Sequence, residues 1–154
     1  MRTSVDVHNF LLERDVPHEL VPVRGRLREP ERMSAVLGLP PEQVARVVVF
    51  ETTRGLVAVV LPAAGRPDLR RVAVATPSPS LVELNPDRVA ELTDYLAEAV
   101  PPVGLPEGTK VILDRTLSEQ EVLYVAGGEP STLLKIRPPD LIEATGAKVA
   151  RVAR

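Results

Sequence analysis

Cysteine and tryptophan are absent from the 154 residues, and only two histidines occur. Without thiols there are no disulfides and no thiolate metal sites, and a reducing, cytoplasmic setting is the expectation. His8 and His18 have no ligand-like spacing, so neither a metal nor a cofactor is expected. Aromatic residues are 3% of the chain, too few for a series of base-stacking platforms. The net charge of -2 excludes a globally basic nucleic-acid binder and gives no reason to expect DNA as a partner. It leaves room for a local basic patch. No apolar run approaches the ~20 residues needed to cross a bilayer, and the N-terminus lacks the charged-then-apolar form of a signal peptide. The only lysines are Lys110, Lys135 and Lys148.

What is present is ordinary for a globular domain: 44% hydrophobic and 26% charged residues. At this length roughly two-thirds of the unfolded surface can be buried. One domain spanning 1–154 is expected. The 16 prolines sit at element boundaries, not in low-complexity tracts.

The chain is organised around residues 42–61, EQVARVVVFETTRGLVAVVL. Two nearly continuous apolar runs, one from Val47 to Phe50 and one from Val57 to Leu61, flank the turn formers Thr52, Thr53, Arg54 and Gly55. This is a strand, a tight turn and a strand. Because the runs do not alternate with polar residues, both faces of the pair should be covered. Arg46 is a long cation at the mouth of this buried strand.

Local signals place the remaining elements. Thr3 and Asp6 have capping-box spacing ahead of a helix that stops before Pro17. HELVPV at 18–23 reads as an edge strand, because Pro22 cannot donate to a ladder. Residues 29–37 read as a helix with Met33, Val36 and Leu37 inward and Gly38 at its end. A helix starting at Pro67 or Asp68 should turn Leu69, Val72 and Ala73 inward. Residues 80–84 read as a brief strand, and Asn85 followed by Pro86 is an N-cap and first-turn signature. Strands are expected at 110–113, 121–126 and 132–136, then a helix opened by Pro138 and Pro139, then a strand at 147–152. The resulting class is α+β: a mixed, mostly antiparallel, curved or barrel-like sheet surrounded by helices.

Chemistry alone does not name a reaction. There is no phosphate loop, no GxGxxG and no GxSxG. No serine sits in a nucleophile-elbow context, and no pair of carboxylates has a distinctive spacing. Three Gly/Pro-rich loops, at 62–68, 101–108 and 127–131, are candidate pocket walls. Arg24, Arg26, Arg28 and Arg32 form a local basic cluster. It reads either as a solvated loop or as a phosphate-binding rim.

Taken in order, the landmarks resemble the YbaK/ProX family, the domain associated with prolyl-tRNA synthetase. They are the ELVPV-like strand, LGLPPEQVARVVVF, LPAAGRPDLRRVA, NPDRVAELTDYLAEAVPPVG, EVLYVAGG and PPDLIEATGAKVARV. The resemblance runs over nearly the whole chain. It implies a trans-editing aminoacyl-tRNA deacylase that hydrolyses the ester of a mischarged tRNA, with a small amino acid on a proline-type tRNA. Such a second sieve is needed where a synthetase pocket rejects small amino acids weakly. The implied hydrolysis is assisted by the terminal ribose hydroxyl of the substrate, with a strand lysine and loop amides positioning the ester. The implied partners are aminoacyl-tRNA and an aminoacyl-tRNA synthetase.

Carried onto this chain, the family lysine becomes Arg46. The Gly-x-x-x-Pro feature falls on Glu98 and Pro102, and the Ser of a Ser-Gly-Gly turn becomes Ala126, followed by Gly127 and Gly128. Asp68, Pro102 and Gly104 match. Arg46 is thus the implied catalytic cation. Asp68, Glu98, Pro102, Gly104, Ala126, Gly127 and Gly128 are the implied substrate-binding residues, and the Arg24, Arg26, Arg28 and Arg32 cluster is the implied tRNA-binding rim. Arginine for lysine is not neutral, since a planar, permanently charged fork replaces a compact ammonium. The alternative reading is a catalytically silent relative that binds a tRNA acceptor end or a small anionic ligand.

Overall fold

The computed structural model describes residues 1–24, 32–78 and 80–154. Arg26 and Arg28, and the first part of the helix expected at 29–37, lie outside the described residues.

The 42–61 stretch folds as read. Strands β2 (Ala45–Thr52) and β3 (Gly55–Pro62) form an antiparallel hairpin with Val48 opposite Val59. Gly55 takes φ 124° at the turn, a conformation that side chains disfavour. The hairpin is covered on both sides. Val49, Ala58 and Val60 pack with Val7 and Leu11 of helix α1 (Ser4–Glu13) and Leu141 of helix α6 (Pro138–Thr145). Val48, Phe50, Val57, Val59 and Leu61 face the other way, onto Val72 and Ala75 of helix α3 (Leu69–Ala75). Phe50 is fully buried, which contributes about 1.5–3 kcal/mol.

Strand β4 (Val82–Glu83) pairs antiparallel with β2. Strand β5 (Lys110–Asp114) lies parallel to β3, and strand β8 (Lys148–Ala150) parallel to β5, giving the order β4-β2-β3-β5-β8. A second, antiparallel sheet has the order β1-β7-β6, from β1 (Glu19–Pro22), β7 (Thr132–Ile136) and β6 (Leu123–Ala126). The proline-containing β1 is its edge, as Pro22 requires. Among the described residues the sheets meet at a parallel bridge between Val44 and Tyr124. The expected mixed, mostly antiparallel architecture is therefore present, but as two open sheets. The sheets are not closed into a barrel.

The helix ends follow local chemistry. The Thr3 amide donates to the Asp6 carboxylate at 2.8 Å, completing the capping box of α1. Asn85 caps helix α4 (Pro86–Thr93), and Gly38 ends helix α2 (Met33–Leu37) in the left-handed region at φ 67°. Two inward assignments are corrected. Val36 is 65% exposed and Leu69 is 54% exposed. In helices of five and seven residues the partner surface sets the phase, and Met33 and Val72 take the buried positions. Helix α5 (Arg115–Ser118), capped by Asp114, had no signal in the sequence, being too short for a period to show.

Candidate active site

The first residues of β2 form one wall of a cavity of about 530 Å³. Ala45, Arg46 and Val47 line it together with Pro86, Asp87 and Ala90 at the start of α4. The far wall is the 3-10 turn Ala97–Ala99 with its flanks Leu96 and Val100. Ala126 at the end of β6 and Met33 of α2 complete it. Most of the wall is aliphatic and small. Its charged groups are Arg46, Asp87 and Glu98, one cation and two carboxylates.

Strand alternation fixes where Arg46 goes. It sits opposite Leu61, on the face of β2 that α3 covers, while Ala45 and Val47 point the other way. The guanidinium reaches the loop after β3, where Nη2 donates to the Gly65 carbonyl at 2.9 Å. Its Nε–H is buried and has no acceptor among the described residues. An unmet buried donor costs about 1–3 kcal/mol, so this position holds a cation at an energetic penalty.

The structure brings together only part of the set expected from the sequence. Arg46, Glu98 and Ala126 line one cavity. Pro102 and Gly104 do not: they line a separate hollow of about 150 Å³ with Phe10 and Ala144. Asp68 is the N-cap of α3, accepting from the Arg70 and Arg71 amides at 3.1 and 3.3 Å. Gly127 and Gly128 lie buried behind the cavity wall. The Gly127 amide donates to the Thr132 carbonyl and the Gly128 amide to the Ala99 carbonyl, both at 3.0 Å. In this conformation neither amide is available to a substrate carbonyl. The Gly128 bond instead holds the 3-10 turn that carries Glu98. Arg24 is exposed at the end of β1, and Arg32 is the exposed residue before Met33.

Sequence reasoning missed Asp87, Ala90, Leu96 and Met33 as cavity residues. Asp87 reads as an ordinary first-turn acid of α4, and nothing local marks the others. Among the described residues lining the cavity there is no Ser, Thr, Cys, His, Lys or Tyr. No group of three or more His, Cys, Asp or Glu that could hold a metal occurs among the described residues. No helix of the described residues is long and apolar enough to cross a membrane.

Residues 26–144 match the family model of the aminoacyl-tRNA editing domain. Two crystal structures superpose over almost the whole chain. One is a hypothetical protein, 29% identical, with a TM-score of 0.89, covering 97% of this chain and 99% of its own. The other is described as a "putative trans-editing enzyme for prolyl tRNA synthetase", 26% identical, with a TM-score of 0.86, covering 98% of this chain and 96% of its own.

Proposed function

This chain belongs to the family of aminoacyl-tRNA editing domains, and from that premise we propose that it is a deacylase hydrolysing the ester of a mischarged tRNA in the Arg46 cavity. The observation that carries the proposal is the set of charged residues lining the cavity, Arg46 with Asp87 and Glu98, on an otherwise aliphatic wall. An aminoacyl-tRNA end carries an α-ammonium, an ester carbonyl and terminal phosphates. A carboxylate complements the first, and a guanidinium complements the other two.

In the proposed reaction Arg46 faces the ester carbonyl oxygen or the neighbouring phosphate. Glu98 holds the α-ammonium, and Asp87 is the second carboxylate within reach. Water adds to the ester carbonyl carbon, and the carbon–oxygen bond to the ribose breaks. A proton passes to the departing ribose oxygen, leaving free amino acid and a tRNA with both terminal hydroxyls. No Ser, Thr, Cys, His, Lys or Tyr lines the cavity among the described residues, which supports direct attack by water. The neighbouring ribose hydroxyl of the substrate would orient that water. Binding supplies the remaining acceleration by holding water and ester in reacting geometry. The small residues Ala45, Ala90, Ala97 and Ala126 support a small amino acid as the cargo.

Release of amino acid from a panel of mischarged tRNAs, comparing the protein with Arg46→Ala, tests this reading. Hydrolysis above the buffer rate that falls with Arg46→Ala supports it, and no hydrolysis of any member sinks it. A second reading, in which the cavity only holds a tRNA end or a small anion, is favoured by the Arg46–Gly65 bond, which occupies one guanidinium nitrogen. Under that reading uncharged tRNA binds in a salt-sensitive way while the whole panel stays intact.

A further inference from the structure

The face of the larger sheet covered by α3 carries a second feature that the cavity does not use. A groove of about 390 Å³ runs between α3 and β8. Its charged lining residues are Arg70, Arg71, Lys148 and Arg151, with Val74 and two alanines between them, and no carboxylate lines it. Arg66 and Arg154 extend it, joined where the Arg154 amide donates to the Arg66 carbonyl at 2.9 Å. All six cations are exposed. Residues 65–75 and 147–154 contain only one acidic side chain, that of Asp68, in a chain whose net charge is -2. The surface is therefore strongly polarised toward this groove.

Two of the cations are held in place by backbone oxygens. Arg71 Nη1 donates to the Ala153 carbonyl at 3.0 Å, and Lys148 Nζ to the Ala75 carbonyl at 3.2 Å. Arg71 also lies 3.8 Å from the Asp68 carboxylate. Anchored cations lose less freedom when a ligand arrives than free ones do. The loop after β3 touches residues of both the cavity and the groove. Gly65 accepts from Arg46, Arg66 is the next residue, and Pro67 bridges to Ala153 beside β8.

We infer that the α3–β8 groove is a docking surface for the sugar–phosphate backbone of tRNA, separate from the ester-binding cavity. This rests on the deacylase reading of the cavity, which supplies the reason for an RNA rather than another polyanion. The groove orients the body of the RNA, and Arg46 and Glu98 meet only its aminoacylated end. Phosphate contacts of this kind give affinity and orientation, not sequence.

The test is binding of an uncharged tRNA transcript, followed by fluorescence anisotropy between about 50 and 200 mM salt. The Arg70→Glu/Arg151→Glu protein is compared with the wild type. A control, Arg14→Glu/Arg137→Glu, carries the same change in net charge on elements of the opposite face. The groove variant should bind at least tenfold more weakly, with the slope of log affinity against log salt reduced by about 2. The control should match the wild type, and all three should melt alike. If the reversed pair does not fold, Arg70→Gln/Arg151→Gln reads the same effect at smaller size. Equal binding by groove variant and wild type overturns the inference, as does equal weakening in the control. Binding of the wild type to anionic phospholipid vesicles with none to tRNA also overturns it. The two proposals fail separately. Loss of tRNA binding in the groove variant, with no deacylation by the wild type, keeps the groove and removes the deacylase. Deacylation by the wild type, with unaltered tRNA affinity in the groove variant, does the reverse.

Discussion

Arg46 and Gly65 stand nineteen positions apart and are joined by a 2.9 Å hydrogen bond from the guanidinium Nη2 to the glycine carbonyl. The bond ties the start of β2 to the loop leaving β3. That loop is tight in its own right, since the Gly65 amide donates to the Pro62 carbonyl at 2.8 Å. The cation of the cavity is therefore oriented by backbone and not by a carboxylate. Its charge is left uncompensated by that contact.

Replacing Arg46 separates charge from shape. Arg46→Ala should lower kcat for deacylation about 10²–10³-fold, the usual effect of removing one donor from a developing oxyanion. Arg46→Lys keeps the charge but loses the fork, so it should fall between the two. Single-turnover release of labelled amino acid measures both. Equal rates for all three proteins would remove Arg46 from the chemistry.

Glu98 is expected to act on the substrate ammonium. Glu98→Gln should raise KM about tenfold, equivalent to ~1.4 kcal/mol of lost binding, with a smaller change in kcat. An N-acetylated aminoacyl-tRNA has no ammonium and should be hydrolysed alike by both proteins. A Glu98→Gln defect of the same size on the acetylated substrate would contradict the assignment.

Gly128 has no room for a side chain. Its φ is 97°, and an added Cβ would lie 2.8 Å from the Thr3 carbonyl oxygen and 2.9 Å from its carbon. Both neighbours are backbone at the cap of α1 and cannot swing away. Gly128→Ala should cost roughly 2–3 kcal/mol, or a fall in Tm of about 4–12 °C at this chain length. Thermal melting checks it, and deacylation should drop as well, since the Gly128 amide holds the turn carrying Glu98.

Asp114 is a buried acid that fastens the end of the chain. Its Oδ1 accepts from the Val152 and Ala153 amides at 2.9 and 3.0 Å, and its Oδ2 accepts from Thr116. Burial alone would raise its pKa. The hydrogen bonds from Thr116, Val152 and Ala153 outweigh burial and hold it below the usual carboxylate value. A depressed folded pKa means that this stabilisation is complete above the unfolded value near ~4 and fades as pH falls through the lower folded one. Asp114→Asn should therefore lose roughly 2–3 kcal/mol near pH ~7. The gap to the wild type should narrow below pH ~4. Urea unfolding across that range measures it, and a gap independent of pH would exclude the carboxylate as its source.

Much of the fold is legible locally. Thr3 with Asp6, Asn85 with Pro86, and Gly38 each mark a helix end through their own neighbours in sequence, so their roles can be read from spacing. The 45–62 hairpin is equally plain, because its continuous apolar runs and Gly55 leave no other economical arrangement. Val36 and Leu69 misled, because two apolar residues do not set the phase of a short helix. Of the residues that the family resemblance singled out, Arg46, Glu98 and Ala126 line the candidate cavity. Asp87 and Met33 carry no mark that separates a cavity wall from an ordinary helix turn.

By itself the sequence determined the α+β class, the hairpin buried on both faces, the helix caps, and the presence of a cation at the mouth of β2. These are decided by interactions within a few residues, or by the apolar period of one segment. The tertiary structure decided that the sheets stay open and that β5 lies parallel to β3. It also decided that Pro102 and Gly104 leave the Arg46 cavity for a hollow of their own, and that cations 80 residues apart in sequence, from Arg71 to Arg151, share one groove. Each of these depends on strand register and on which surface a helix buries. Those are set by packing between segments distant in the chain, and no local pattern encodes them.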